Sequence, residues 1–142
     1  MSKNYFEEIK NNPTIGVIGL GYVGLPLAVE LAKKHQVIGF DVNQTRVDEL
    51  NNGVDKTLEI TGDQLSSLPS LNITSKEALL GSVNFYIVTV PTPIDKANRP
   101  NLNPLIKASK DIGSILAKND IVIYESTVYP GVTEEVCVPE LE

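Results

Sequence analysis

The sequence predicts an α/β fold: a doubly wound parallel sheet with helices on both faces. Three observations carry this. Short runs rich in β-branched residues, such as Ile15–Leu20 and Phe85–Val90, alternate along the chain with segments of helical periodicity. The runs are apolar throughout rather than at every second residue, as strands buried on both faces are. A glycine-rich turn, Gly19-Leu20-Gly21-Tyr22-Val23-Gly24, lies where the first such run meets the first helix.

In order, Ile15–Leu20 is predicted as the first strand. The helix after it spans Leu25 to Lys34, with Leu25, Ala28, Val29 and Ala32 on one face and Pro26 in the first turn, where a missing N–H costs little. Val37–Phe40 is the second strand, closed by Asp41. Gln44–Asn51 is the second helix, with Val47 and Leu50 inward and Asn52-Gly53 as its stop. Residues 54–70 show no clear period; a short helix near Asp63–Leu68 is expected, with loop around it. Asn72–Thr74 reads as a short third strand and Lys76–Leu80 as a helical turn. Phe85–Val90 is the fourth strand. Pro91 to Pro104 holds four of the nine prolines and must be irregular. Leu105–Ala117 is the next helix, with Leu105, Ile106, Ile112, Ile115 and Leu116 as core candidates; Ile121–Tyr124 is the fifth strand, and Thr133–Val138 opens a last helix. Right-handed crossovers then give the strand order 3-2-1-4-5. A full sheet of this type has a sixth strand, which is expected to be missing here. The fifth strand would then leave a bare edge, inviting dimerisation or aggregation unless the tail covers it.

The 142 residues suit one domain, expected over residues 14–142 behind an extension over residues 1–13. Apolar residues make up 42% and charged residues 21%, enough for a buried core. The net charge of −6 argues against nucleic acid and anionic membrane as partners. The single cysteine, Cys137, allows neither an internal disulfide nor a zinc cluster. Residues 1–12 lack the apolar stretch of a signal peptide, and no run reaches the ~20 apolar residues of a membrane span. The expected location is cytoplasmic.

The turn matches the G-x-G-x-x-G fingerprint of Rossmann dinucleotide-binding folds. Gly19 permits the tight turn, Gly21 lets a pyrophosphate approach the backbone, and Gly24 lets the helix sit close to the sheet. The helix N-terminus then favours the phosphate charge. Asp41 closes the second strand 41 − 19 = 22 residues after the first glycine. A carboxylate there accepts hydrogen bonds from the adenosine ribose and repels a 2′-phosphate, so NAD is the expected cofactor rather than NADP. Arg46, one turn into the next helix, has three readings: a contact to adenine or ribose, a clamp for a 2′-phosphate, or a solvated side chain.

GLGYVGLPLA at Gly19–Ala28, GFDVN at Gly39–Asn43 with Arg46, VPTP at Val90–Pro93 and ESTVYPG at Glu125–Gly131 occur in an order that resembles the UDP-glucose/GDP-mannose dehydrogenase family. Within that family the chain resembles the bacterial and archaeal UDP-N-acetylhexosamine 6-dehydrogenases. The resemblance runs from about Thr14 to Pro139. It implies a parent enzyme that oxidises the C6 alcohol of a UDP-sugar to a uronate with two NAD, through a cysteine thiohemiacetal. It places Tyr22 and Val23 over the pyrophosphate and Asp41 and Arg46 at the adenosine ribose. Thr92 falls in a loop bordering the cofactor. Thr127 falls beside the nicotinamide, where it also positions a catalytic water. Both threonines follow carboxyl ends of predicted strands, where such folds bind ligands; Thr92 could equally shape a turn, and Ser126 and Thr127 could bond backbone alone.

The family's nucleophilic cysteine lies in a later glycine-rich segment that nothing in this chain matches. Cys137, flanked by valines, reads as a buried structural thiol. Glu125 is not the family's catalytic glutamate, and His35, at a helix-to-strand turn, reads as structural. The chain by itself is therefore expected to bind NAD weakly and not to oxidise sugar; its parent is expected to be a homo-oligomer with a UDP-sugar substrate. Two other classes remain open. One is an NAD-dependent dehydrogenase of the 6-phosphogluconate or 3-hydroxyacid type, against which VPTP and ESTV argue. The other is an NAD-sensing domain without catalysis.

Overall fold

A computed structural model describes residue 7 and residues 11–142; most of the expected extension over residues 1–13 lies outside the described residues. Five parallel strands form one sheet: β1 (Thr14–Ile18), β2 (Gln36–Phe40), β3 (Leu71–Thr74), β4 (Phe85–Val88) and β5 (Ile121–Tyr124), in the order β3-β2-β1-β4-β5. The predicted order is thus the observed one. β1 is central, and Gly16 stands opposite Ile38 on β2 and Tyr86 on β4.

Because strand side chains alternate, the three central strands β2, β1 and β4 each feed two cores. Ile15, Val17, Val37 and Ile87 point to a cluster closed by Leu25, Ala28, Val29 and Ala32 of helix α1 (Gly24–Ala32) and Leu50 of α2 (Gln44–Asn51). Ile18, Phe40, Tyr86 and Val88 point to the other, closed by Leu105, Ala108 and Ile112 of a later helix. Both faces are covered, which explains why the strands read as continuous apolar runs.

Between β2 and β3 lies α3 (Gly62–Ser66), started by a capping box in which Thr61 and Gln64 each bond the other's backbone N–H. A 3₁₀ turn (Glu77–Ser82) leads into β4, and α4 (Asn103–Gly113) into β5. A π-helical turn (Thr133–Cys137) runs into α5 (Val138–Leu141).

Several element ends differ from expectation, for local reasons. The first strand stops at Ile18 rather than Leu20, because Gly19 turns the chain at φ +102°; Leu20 is fully buried but belongs to the turn. The fourth stops at Val88, where the Thr89 side chain folds back onto the glycine turn. Helix α4 begins two residues early, with Pro104 in its first turn, and ends at Gly113 rather than Ala117. A Cβ on Gly113 would lie 2.7 Å from the Glu140 carbonyl oxygen, so the tail packs directly on the end of α4. The expected last helix opens as a π turn: Val138 N–H reaches back to the Thr133 carbonyl, and Pro139 next to it has no N–H to give. This tail packs on α4 and adds no strand; β5 pairs only with β4 among the described residues.

Candidate functional site

The carboxyl ends of β1, β2, β4 and β5 open into a cavity of about 610 Å³. Every residue assigned to the cofactor from sequence lines it except Gly24, which lies beneath the turn. Open α/β sheets bind their ligands at this end.

The glycine turn forms the floor. A Cβ built on Gly19 would come within 3.0 Å of the Thr89 backbone. One on Gly24 would come within 1.7 Å of the Gly19 carbonyl oxygen. One on Gly21 would meet nothing within 4 Å among the described residues. Gly19 and Gly24 are therefore demanded by the fold, whereas the space over Gly21 is open to a ligand. Thr89, buried beneath, donates its hydroxyl to the Gly19 carbonyl at 2.7 Å and pins the turn to the end of β4. Tyr22 and Val23 stand exposed at the rim, 70% and 59% accessible.

Asp41 holds the turn from the other side. Its Oδ2 accepts the Leu20 N–H at 2.9 Å and its Oδ1 the Asn43 N–H at 2.9 Å. A carboxylate offers about four lone-pair positions, so two remain for further donors.

Arg46 is not solvated. Its side chain is 12% exposed; Nε donates to the Leu20 carbonyl at 2.9 Å and Nη1 to Asp55 Oδ1 at 2.8 Å. Nη2 is buried with no partner among the described residues. Asp55 was not visible as a site residue in the sequence, because it lies in the stretch without periodicity. The one local sign is Thr57 two residues on: Asp55 Oδ1 accepts both the N–H and the hydroxyl of Thr57, an Asx turn. Its Oδ2 accepts the N–H groups of Glu59 and Ile60. Burial by itself would raise its pKa, but the bonds from Thr57, Ile60 and Arg46 outweigh burial and bring it down to about 2 from an ordinary 3.8. The folded-state pKa is the lower one, so the stabilisation is complete above about pH 4 and lost as pH falls towards 2. The expected result in urea titrations is that the stability gap between wild type and Asp55→Ala narrows by about 2 kcal/mol between pH 5 and pH 2. A gap unchanged with pH would refute it.

The far wall joins the loops after β4 and β5. Ser126 donates its hydroxyl to the Val90 carbonyl at 2.7 Å, and Thr92 donates to the Thr127 carbonyl at 2.7 Å. The Thr92 hydroxyl thus serves the loop, and Thr127 is exposed at the cavity edge. Glu125 also lines the cavity, whereas His35 and Cys137 do not. Cys137 is fully buried, and burial pushes its thiol above its ordinary pKa despite hydrogen bonds from Ser109 and Tyr124. Among the described residues no group of His, Cys, Asp and Glu could hold a metal.

A glycine turn at a strand-to-helix junction, open above its middle glycine and flanked by a carboxylate with spare acceptor capacity, defines a dinucleotide-binding domain of the doubly wound class. The sequence matches the UDP-glucose/GDP-mannose dehydrogenase family, NAD binding domain, over residues 13–142, and the chain belongs to that family. Its cofactor is NAD. The chain is 58% identical over 128 residues to a UDP-N-acetyl-D-glucosamine 6-dehydrogenase of Pseudomonas aeruginosa, covering 90% of this chain and 30% of that protein. It is 53% identical to Protein CapL of Staphylococcus aureus, covering 92% of this chain and 31% of that one. A solved UDP-D-ManNAc dehydrogenase from Pyrococcus horikoshii superposes with a TM-score of 0.83 at 32% identity, over 89% of this chain and 31% of the other. The chain therefore spans about a third of the length of the relatives it matches. Family membership sets aside a dehydrogenase of the 6-phosphogluconate or 3-hydroxyacid type.

Proposed function

We propose that residues 14–142 supply the NAD site of an enzyme that oxidises the C6 alcohol of a UDP-N-acetylhexosamine to the uronate. The identity to a UDP-N-acetyl-D-glucosamine 6-dehydrogenase supports the substrate class. Taking an alcohol to a carboxylate removes four electrons, so the reaction consumes two NAD, each accepting one hydride. A cysteine outside this chain is proposed to hold the aldehyde as a thiohemiacetal between the two steps.

In this reading the open space over Gly21 and the first turn of α1 take the pyrophosphate, with Tyr22 and Val23 as its rim. The two free acceptor positions of Asp41 take the ribose hydroxyls, and Arg46 braces the same region through Leu20. Thr127, held in place by Thr92, borders the nicotinamide and orients a water. The chain's one thiol, Cys137, is buried away from the cavity, so in this reading the chain binds NAD without turning over sugar. Among the described residues no helix is long and apolar enough to cross a membrane; a cytoplasmic homo-oligomer is the proposed parent state.

The observation that carries the reading is the cradle itself: open space over Gly21 beside an incompletely engaged Asp41. Calorimetric titration with NAD and, separately, NADP tests it. The expected result is NAD binding with at least about a tenfold preference over NADP, the ~1.4 kcal/mol that one repelled phosphate readily supplies. Preference for NADP, or steady NADH formation from a UDP-sugar by this chain, would overturn it.

A further inference from the structure

We propose that Asp55 is a specificity-positioning residue of the dinucleotide site: by holding the Arg46 guanidinium against Leu20, it withholds that cation from the adenosine 2′ position and so favours a 2′-hydroxyl over a 2′-phosphate. The inference rests on the NAD reading above.

Arg46 lines the cavity together with Asp41, Val42 and Asn43, the residues that follow β2. A free guanidinium there is a ready phosphate clamp, since its planar fork matches phosphate oxygens two at a time. The structure spends that fork elsewhere. Nε is engaged by the Leu20 carbonyl, Nη1 by Asp55, and Nη2 is buried without an acceptor among the described residues. A cation withdrawn from water in this way is tolerated only with a counter-charge beside it. Asp55 provides that charge from a side chain with no exposed surface.

Asp55 also cannot follow Arg46 if the arginine moves. Three backbone N–H groups and one hydroxyl, from Thr57, Glu59 and Ile60, fix both carboxylate oxygens. The two aspartates thus divide the labour. Asp41 accepts two N–H groups and keeps capacity for the ribose. Asp55 accepts five donors, is saturated, and acts only through Arg46. With the Asp55 charge removed, an unpaired buried cation remains, and its least costly relief is to swing into the cavity, where a 2′-phosphate is an acceptor for it.

The test is the ratio of NADP to NAD dissociation constants, because a merely structural role would weaken both nucleotides alike. In Asp55→Asn the ratio is expected to fall at least about tenfold, and in the double variant Asp55→Asn/Arg46→Met the gain in NADP binding is expected to vanish. An unchanged ratio in folded Asp55→Asn, or a gain that survives loss of Arg46, overturns the inference. Should Asp55→Asn fail to fold, the wild-type Arg46 Nε–H signal, observed by ¹⁵N NMR and assigned through Arg46→Lys, decides. It is expected to hold its position as adenosine 2′,5′-bisphosphate is added to millimolar concentration; a shift that follows the 2′-phosphate and is absent with 5′-AMP overturns the inference. Wild-type protein that binds neither dinucleotide would instead defeat the NAD reading, and this inference with it.

Discussion

Gly21→Ala is expected to fold as the wild type does and to bind NAD at least about 100-fold more weakly, whereas Gly24→Ala is expected to lose much of the fold. The two glycines are three residues apart in one turn and carry the same letter in the motif, but the roles it assigns them differ. So do their surroundings. A methyl on Gly21 meets no atom of the described residues within 4 Å, so it strains nothing among them. It does occupy the space in which a pyrophosphate must reach the backbone. Holding the phosphates off by a methyl radius forfeits two or more charge-assisted hydrogen bonds, each worth about 1.5–3 kcal/mol, and about 1.4 kcal/mol is a factor of ten. On Gly24 the same methyl would lie 1.7 Å from the Gly19 carbonyl oxygen and 2.5 Å from Thr89 Oγ1. Neither can yield, because Thr89 Oγ1 is bonded to that same carbonyl and Gly19 is packed on the Thr89 backbone. Helix α1 must move off the sheet, opening the core that Leu25, Ala28 and Val29 close. A cost of about 3 kcal/mol or more is expected, a large share of the 5–15 kcal/mol that holds an ordinary domain together. Thermal melts followed by circular dichroism, with NAD titration of each variant, check both. Equal loss of melting temperature in the two variants would show that Gly21 is structural after all.

The same contrast shows which parts of the site the sequence exposes. β1, β2 and β4 announce themselves because strands with core on both faces are apolar almost without interruption, β5 because its four residues are all β-branched or aromatic, and the glycine turn and Asp41 lie at fixed offsets from strand ends. Their roles come from local geometry, which a linear pattern can encode. Leu20 misleads for the same reason: its burial extends the apolar run past the strand, although Gly19 has already turned the chain. Thr89 reads as a strand residue, yet its hydroxyl is the peg under the turn, and only the pairing of β4 with β1 brings it there. The partner of Arg46 is hidden more deeply. Asp55 is nine residues away in a loop with no period, and that loop acquires its path from the carboxylate at its own centre. A charged residue in an unpatterned loop looks solvated from sequence; here it is among the most buried polar side chains.

Asp41→Ala is expected to weaken NAD binding about 100-fold while costing the fold only about 1–2 kcal/mol. The carboxylate serves two masters in this structure. Inward, it accepts the N–H groups of Leu20 and Asn43, which fasten the glycine turn to the end of β2. Those bonds lie near the surface, and water can replace the lost acceptor at Asn43, so their removal destabilises modestly. Outward, its remaining acceptor positions face the cavity, where two ribose hydroxyls would find a charged acceptor held rigidly by the inward bonds. Two hydrogen bonds to a charged group, at about 1.5–3 kcal/mol each, set the expected loss. Asp41→Asn should lie between, since its carbonyl keeps one acceptor and its amide offers a donor that faces the Leu20 or Asn43 N–H instead. The discriminating measurement is NADP binding by Asp41→Ala. Removing the negative charge relieves repulsion of a 2′-phosphate, so NADP should lose less affinity than NAD does. If both fall equally, Asp41 acts only by shaping the turn, and the preference for NAD must come from elsewhere in the site.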